Sequence, residues 1–268
     1  MAHHGITFRG KHSDEFNIIV KTVGRPIIPP AKQVDEEVEY RDGNTDYSEA
    51  GGRIYYEDKV LELEFNIKAV NTTRLGVTVS RIAAWLSGGY GELIFDDMPL
   101  VIWLAKPADL GDLTINLYKN GNTRVQFRCK PFNIFLHDSK GIPLDSPITL
   151  DSDIPLDFGE ENVLAFAAGT TTHTLDYMGT APVRPVIQIQ LTKAVSSFSI
   201  NINGVVITRT NTGSSFTIDC QNGIMPNGLS GDFPELLPGE NTVAVTSTGG
   251  SGTVTFEYKH NFLYGDGF

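Results

Sequence analysis

The sequence predicts a mainly β protein of two domains, an α+β domain followed by a β-sandwich. Three observations carry this expectation. Short runs of β-branched and aromatic residues recur along the 268 residues, separated by Gly, Pro, Asn and Asp. Helical spacing of apolar residues stands out once, between Asn71 and Leu86. The charge balance shifts as well: residues 1–140 hold 17 basic and 19 acidic side chains, and residues 141–268 hold 4 and 13. A boundary near 140 divides the chain into two pieces of ordinary domain size.

In chain order, Phe16–Val20 reads as a strand ending at Gly24-Arg25-Pro26, and Pro29-Pro30 force an extended path after it. Val34–Tyr40 alternates apolar and acidic residues, and Arg41-Asp42-Gly43-Asn44 has turn chemistry. Ile54–Ile67 then resumes the alternation with Leu61, Leu63, Phe65 and Ile67 on one face. Together these predict a long β-hairpin feeding a sheet. The helix is expected to start at an Asn71 or Thr72 cap, to bury Leu75, Val79, Ile82, Ala83 and Leu86, and to stop at Gly88-Gly89. Strands over 93–95, 100–105, 113–118 and 123–127 follow, with Asn120-Gly121 as a tight turn.

The prolines at 143, 147 and 155 suit an entry linker rather than a central strand. The second domain then offers strands at 163–166, 186–191, 197–202, 205–208, 216–219, 240–246 and 253–258, with Asn203-Gly204 as a turn pair. Regular short strands without a helix imply a sandwich or jelly roll.

Several function classes are disfavoured. A formal charge of −11 opposes a protein that grips nucleic acid, which needs clustered Lys and Arg. No apolar run approaches the ~18 residues of a membrane span, so no membrane insertion is expected. Met1–Phe8 lacks the apolar core of a secretory signal, so synthesis is expected to end in the cytoplasm. Cys129 and Cys220 have no ligand or disulfide-framework spacing and are read as reduced thiols.

A family resemblance rests on segments spread along the whole chain. They are Phe8-x-Gly10-x-x-Ser13, Gly24-Arg25-Pro26, Tyr40-Arg41-Asp42-Gly43, Arg81-Ile82-Ala83-Ala84-Trp85-Leu86 and Gly91-Glu92-Leu93-Ile94-Phe95-Asp96-Asp97. In the second domain Thr180-Ala181-Pro182-Val183-x-Pro185-Val186-Ile187 and Gly231-Asp232-Phe233-Pro234-Glu235-Leu236-x-Pro238-Gly239-Glu240-Asn241 continue the series. No one of them suffices, but in this order they resemble the distal tail protein family of long-tailed, siphovirus-type phages and prophages.

The resemblance implies a ring-forming N-terminal domain, hexameric, and a galectin-like or carbohydrate-module-like C-terminal sandwich. It implies a structural, non-enzymatic protein of the virion tail tip, assembled in the bacterial cytoplasm. The implied partners are further copies of the chain, the tail tube protein and the tail-tip hub, a tail-associated lysin or fibre protein, with receptor-binding proteins sometimes docked. The acidic balance suits a channel through which DNA passes without sticking. The sequence leaves open whether the last nine residues pack back on the first domain, although the aromatics Phe262, Tyr264 and Phe268 point to an anchored tail.

Under this reading the candidate interface residues are Val34, Val38, Tyr40, Arg41, Asp42, Tyr47, Tyr55 and Tyr56, on an arm that pairs with a neighbour. A hairpin packed within its own sheet is the other reading, and the sequence leaves both open. The rival function is carbohydrate binding by the second sandwich, with Tyr177, Phe233 and Tyr258 stacking on a sugar; burial of these rings is the competing view.

No catalytic, cofactor-binding or metal-ligating residue is assigned, and no cofactor is expected. The acidic run Asp151, Asp153, Asp157, Glu160 and Glu161 lacks the spacing of a calcium loop and reads as a solvated linker; a glycosidase pair drawn from it is a weaker reading. The six histidines are scattered and read as surface or turn residues. Gly88-Gly89-Tyr90-Gly91 follows a helix and precedes a strand, the reverse of a phosphate loop, so it reads as a helix stop. Gly228-Leu229-Ser230-Gly231 is not a nucleophile elbow. Trp85 and Trp103 are assigned to the first core.

Overall fold

The computed structural model describes residues 5–37, 39–40, 42–68, 71–112, 114–116, 120–138 and 162–265. It divides into two units. The first runs to Ile134 and takes in Leu263–Gly265; the second holds Phe135–Phe262.

The first unit opens with β1 (Ile6–Phe8) and β2 (Lys11–His12), and a single 3-10 turn over Ser13–Phe16 then leads into β3 (Ile18–Gly24). That turn is closed by a capping box: His12 accepts from the Asp14 N–H, and the Glu15 carboxylate accepts from the His12 N–H. Asn17 takes a left-handed φ of 53°, so the strand starts at Ile18 rather than at Phe16 as predicted.

Two short strands, β4 (Asp35–Glu36) and β5 (Thr45–Asp46), form a two-stranded sheet of their own among the described residues. The long strand β6 (Lys59–Lys68) follows. The predicted hairpin is therefore shorter than the alternation suggested, and the core alternation begins at Lys59. From there Leu61, Leu63, Phe65 and Ile67 are buried, while the residues between them are half-buried. Glu62 and Glu64 accept hydrogen bonds from Gln126 (2.8 Å) and Asn122 (2.9 Å).

Helix α1 (Thr72–Leu86) has Asn71 as its N-cap, the Asn71 side chain accepting from the Arg74 N–H at 2.9 Å. It buries Leu75, Ile82, Trp85 and Leu86, with Val79 partly covered; Ala83 stays exposed. Trp85 fixes it to the sheet: its indole N–H donates to the Phe8 carbonyl (2.9 Å), and its ring stacks on Phe16 with centroids 4.7 Å apart. Strands β7 (Gly91–Phe95), β8 (Met98–Leu110), β9 (Thr114–Asn116) and β10 (Asn120–Cys129) complete the unit. The sheet order is β2-β1-β7-β8-β10-β6-β3, all antiparallel, with β9 beside β10. Asn120 and Gly121 are the first residues of β10, paired with Asn116 and Ile115, and are not the tight turn predicted.

Lys59 occupies the first inward position of β6 and is fully buried. Its ammonium donates to the Asn133 side-chain oxygen (2.8 Å) and to the Leu263 carbonyl (3.2 Å), and lies 4.4 Å from the centre of the Trp103 ring. Tyr264 meets the same indole edge-on at 6.3 Å. Burial brings the Lys59 amine down to about 8 and pushes the Cys129 thiol up to about 12.

Strand β11 (Asn133–Asp138) runs across the division at Ile134, and the second unit goes on with β12 (Val163–Phe166), β13 (Gly169–Tyr177), β14 (Val186–Leu191), β15 (Ser197–Ile202) and β16 (Val205–Thr210). It continues with β17 (Ser215–Asp219), β18 (Leu229–Gly231), β19 (Gly239–Ser247), β20 (Gly252–Glu257) and β21 (Lys259–Phe262). Two sheets, β12-β20-β14-β17 and β13-β19-β15-β16-β18, enclose its core. Phe198 of one sheet meets Phe166 and Phe216 of the other edge-on, at 5.8 and 5.5 Å. Asn203 and Gly204 take φ values of 50° and 92°, the paired left-handed residues that a two-residue hairpin turn needs. Among the described residues the fold is mainly β with one α-helix, the class the sequence predicts.

Candidate assembly interface

The residues proposed as an interface lie on the excursion between β3 and β6. Pro29 and Pro30 cannot continue a ladder through their own nitrogens, so the chain leaves the sheet there. Backbone hydrogen bonds then zip the excursion on itself: Glu57 N to Pro30 O (2.8 Å), Lys32 N to Tyr55 O (2.7 Å) and Tyr47 N to Val34 O (2.8 Å). The Asp35–Asp46 and Glu36–Thr45 pairs of β4 and β5 extend the ladder. The result is a two-stranded arm paired along its length with itself.

Its side chains are unusual for a surface. Val34, Tyr47, Ile54 and Tyr55 are 42–54% exposed, Ile27 and Ile28 are 67% and 60% exposed, and Tyr40 is fully exposed. Large apolar residues scattered singly on a surface are ordinary, whereas a run of them along one excursion makes it a candidate interaction surface. Tyr40 also has φ 64°, a left-handed conformation that disfavours a bulky side chain. Tyr55 lies under the Arg53 guanidinium (4.7 Å to the ring centre), and Tyr56 packs edge-on against Phe132 at 5.8 Å, half-buried at the arm's root. Asp42 is exposed. The Asp46 carboxyl is held below its usual range by two hydrogen bonds from Ser48. Val38 and Arg41 lie outside the described residues. Ile27, Ile28 and Ile54 were not singled out in the sequence; the Ile-Ile pair immediately before Pro29-Pro30, apolar residues at the point where the sheet is left, was the available signal.

The sugar-stacking residues do not form a site. Tyr177 is 1% and Tyr258 7% exposed. The Tyr177 hydroxyl donates to the Ala181 carbonyl (2.9 Å) and accepts from the Asn261 N–H (2.8 Å), and burial raises its phenol pKa. Tyr258 donates to Asn162 at 2.7 Å. Packed edge-on against each other at 5.5 Å, these two rings are core and have no face left for a sugar. Phe233 is half-buried against the same core.

The remaining candidates resolve into structural roles. Arg9 donates to the carbonyls of Ser87 and Gly89, so the glycine run after α1 wraps a guanidinium and presents carbonyls to it. A side chain at Gly91 would strike the inner part of the Arg9 side chain, and Gly88 takes a left-handed φ of 124° that favours glycine. His12 bridges Asp14 and Asp96, and His173 faces the Ala165 carbonyl at 2.8 Å. His260 is not the surface residue expected: it is 2% exposed, stacked on Tyr177 at 5.4 Å, and its imidazole is pushed down to about 4 by burial. Trp85 and Trp103 are both core. Among the described residues no group of three or more His, Cys, Asp or Glu could hold a metal ion, and no helix is long and apolar enough to cross a membrane. The acidic run 151–161 lies outside the described residues.

Comparison with known proteins accounts for this arrangement. Residues 5–129 match the family described as phage tail protein RIFT-related domain, and residues 178–262 match the siphovirus-type tail component, C-terminal domain. A search of curated proteins returned no match. Among solved structures the chain resembles the Dit protein (gp 19.1) of phage SPP1, described as a paradigm of the hub adsorption apparatus in phages that infect Gram-positive bacteria. The TM-score is 0.60 at 13% identity, over 96% of this chain and 98% of that one. A Listeria monocytogenes EGD-e protein solved with glucose, magnesium and calcium aligns over 86% of this chain and 22% of its own at 10% identity; its TM-score of 0.23 carries no argument. With both of its halves matched in order by tail-component families, the chain belongs to the siphovirus distal tail protein family and is a structural component of the phage tail.

Proposed function

We propose that this chain is a non-enzymatic ring subunit at the distal end of the tail tube. Six copies close around a central channel for DNA and link the tube to the tail-tip hub and adsorption apparatus. The observation that supports this most directly is the arm from Ile27 to Glu57, paired with itself and lined by exposed apolar side chains. An arm that reaches forward onto the next copy makes a head-to-tail contact, and such contacts generate rings when the rotation closes. The family and the fold similarity are consistent with this role.

Light scattering with negative-stain imaging tests the proposal. A hexamer of 29.3 kDa chains weighs about 176 kDa and should show a central hole. Replacing residues 33–53 by a short Gly-Ser turn should give a folded monomer, because the Lys32–Tyr55 and Pro30–Glu57 hydrogen bonds remain to close the shortened arm. A wild-type protein that stays monomeric up to ~100 μM, or an arm deletion that still forms rings, would overturn the proposal.

A further inference from the structure

The first unit carries a cationic patch that the described residues neutralise only in part. The side chain of Tyr90, in the loop between α1 and β7, has Lys106 5.1 Å and Lys130 4.7 Å from its ring centre. Arg128 stands directly opposite Lys106 in the β8–β10 ladder, and the Lys130 N–H bonds to Leu104 of β8. Arg9 reaches the carbonyls of Ser87 and Gly89 just before Tyr90. Among the described residues the carboxylate in ion-pair contact with these cations is Asp58, engaged by Arg128 (2.8 Å), by the Tyr90 hydroxyl (3.1 Å) and, at 3.9 Å, by Lys130, while Glu62 and Glu92 share this face of the sheet by register. Like charges directly opposite on paired strands are destabilising. Asp58, shared by Arg128 and Lys130, leaves Lys106 without a carboxylate partner among the described residues, and an anion from outside would offset it.

The same chain supplies one of matching character. Seven carboxylates fall between Asp35 and Glu49, with Arg41 as the lone cation, a net −6 within a chain of net −11. The carboxylate-bearing residues of this segment are all exposed. Without this segment the first 140 residues hold 16 basic and 12 acidic side chains, a net +4. The charge of the first unit is thus split between an acidic projecting arm and a basic body.

We infer that the Tyr90 patch, with Lys106, Arg128 and Lys130, is the landing site for the acidic arm of a second copy of this chain. The inference rests on the ring reading and adds to it the surface each arm meets. Aromatic side chains of the arm supply the apolar contact, and the opposed charges fix direction: each copy offers one acidic arm and one basic patch. Charge complementarity of this kind sets register and association rate more than affinity, and salt screens it over a Debye length of about 8 Å at physiological ionic strength.

A charge swap tests it on the full-length protein. Lys106→Glu with Lys130→Glu should raise the concentration at which the wild-type assembly half-dissociates by tenfold or more. Adding Asp35→Lys, Glu36→Lys and Glu37→Lys to that variant should bring it back to within about threefold of wild type. Circular dichroism and tryptophan fluorescence establish that each variant is folded. Unchanged assembly after patch reversal, or a swap without rescue in folded protein, overturns the inference while leaving the ring intact. Binding of a 20-base-pair DNA that disappears on patch reversal, with assembly unchanged, assigns the patch to nucleic acid instead and also overturns it. A wild-type protein that never assembles removes the ring reading, and this landing site with it.

Discussion

The two units solve the same problem, burying apolar strands, with different regularity. The second is a two-sheet sandwich whose inward positions are mostly apolar, such as Ile187, Ile189 and Leu191 on β14 and Phe198, Ile200 and Ile202 on β15, with Asn241 and Ser247 on β19 and His260 on β21 as buried polar exceptions. The first interrupts its pattern repeatedly. A charged lysine takes an inward position, an arginine plugs the glycine run after the helix, and an acidic apolar-studded arm leaves the sheet. Local rules are broken where a structure serves something beyond its own stability, and in the first unit the breaks accompany the arm and the basic patch.

Both tryptophans, Trp85 and Trp103, belong to the first unit, so their fluorescence follows that unit while far-UV circular dichroism follows both. The largest expected effect is from Trp85→Ala. It removes the helix anchor and should cost the first unit about 3–5 kcal/mol in urea unfolding followed by fluorescence. Ile200→Ala should cost the second unit about 2–5 kcal/mol, seen by circular dichroism, with the fluorescence midpoint unmoved. A fluorescence midpoint that shifts with Ile200→Ala would show one cooperative unit rather than two.

His260 gives the second unit an acid-side sensitivity. Its folded pKa, about 4, lies below the unfolded value near 6.5, so the unfolded chain binds the extra proton in that window. Stability therefore falls as pH drops from about 6.5 to 4, by on the order of 3 kcal/mol at the limit. His260→Gln should flatten that part of the stability-pH curve, and an unchanged slope would remove His260 as its source.

Lys59 gives the first unit a weaker, alkaline counterpart. Its folded pKa, about 8, is also below the unfolded value, so its contribution to stability grows as pH rises above 8. Above pH 9 the Cys129 thiol works in the opposite direction, because burial keeps it protonated while the unfolded thiol ionises. The net gain is thus confined to pH 8–9, about 1 kcal/mol, read from the fluorescence midpoint and absent in Lys59→Met. The smallest effect is at the arm tip. Tyr40→Gly relieves a left-handed backbone and should leave the melting temperature within a degree or two or raise it slightly, while weakening any assembly that uses the ring.

How much of this was legible in the sequence differs between the units for a physical reason. β12, β14 and β15 fall on the predicted residues because apolar alternation and turn glycines agree there. β13 was missed since Gly169–Thr174 offers threonines and a histidine but no apolar alternation before Leu175 and Tyr177; its place comes from pairing with β19. His260 looked like a terminal polar residue because nothing local reveals an aromatic cluster assembled from Phe135, Tyr177, Tyr258 and Phe262. Lys59 was visible in principle: it shares parity with Leu61, Leu63, Phe65 and Ile67, all inward. The arm was legible as extended and turn-forming, but its overestimated length shows that alternation alone does not separate a projecting ladder from a core strand. The Tyr90 patch joins residues 58, 90, 106, 128 and 130, and such a gathering exists only once sheet register is known.

The return of Leu263–Gly265 to the first unit has a consequence for synthesis. A bacterial ribosome adds roughly 5–20 residues each second, so the 128 residues of Phe135–Phe262 separate Ile134 from Leu263 by on the order of ten seconds. During that interval Trp103 lacks Tyr264, and Lys59 has the Asn133 oxygen without the Leu263 carbonyl. The first unit to be translated is the last to be finished, and its final packing waits for the whole sandwich to emerge.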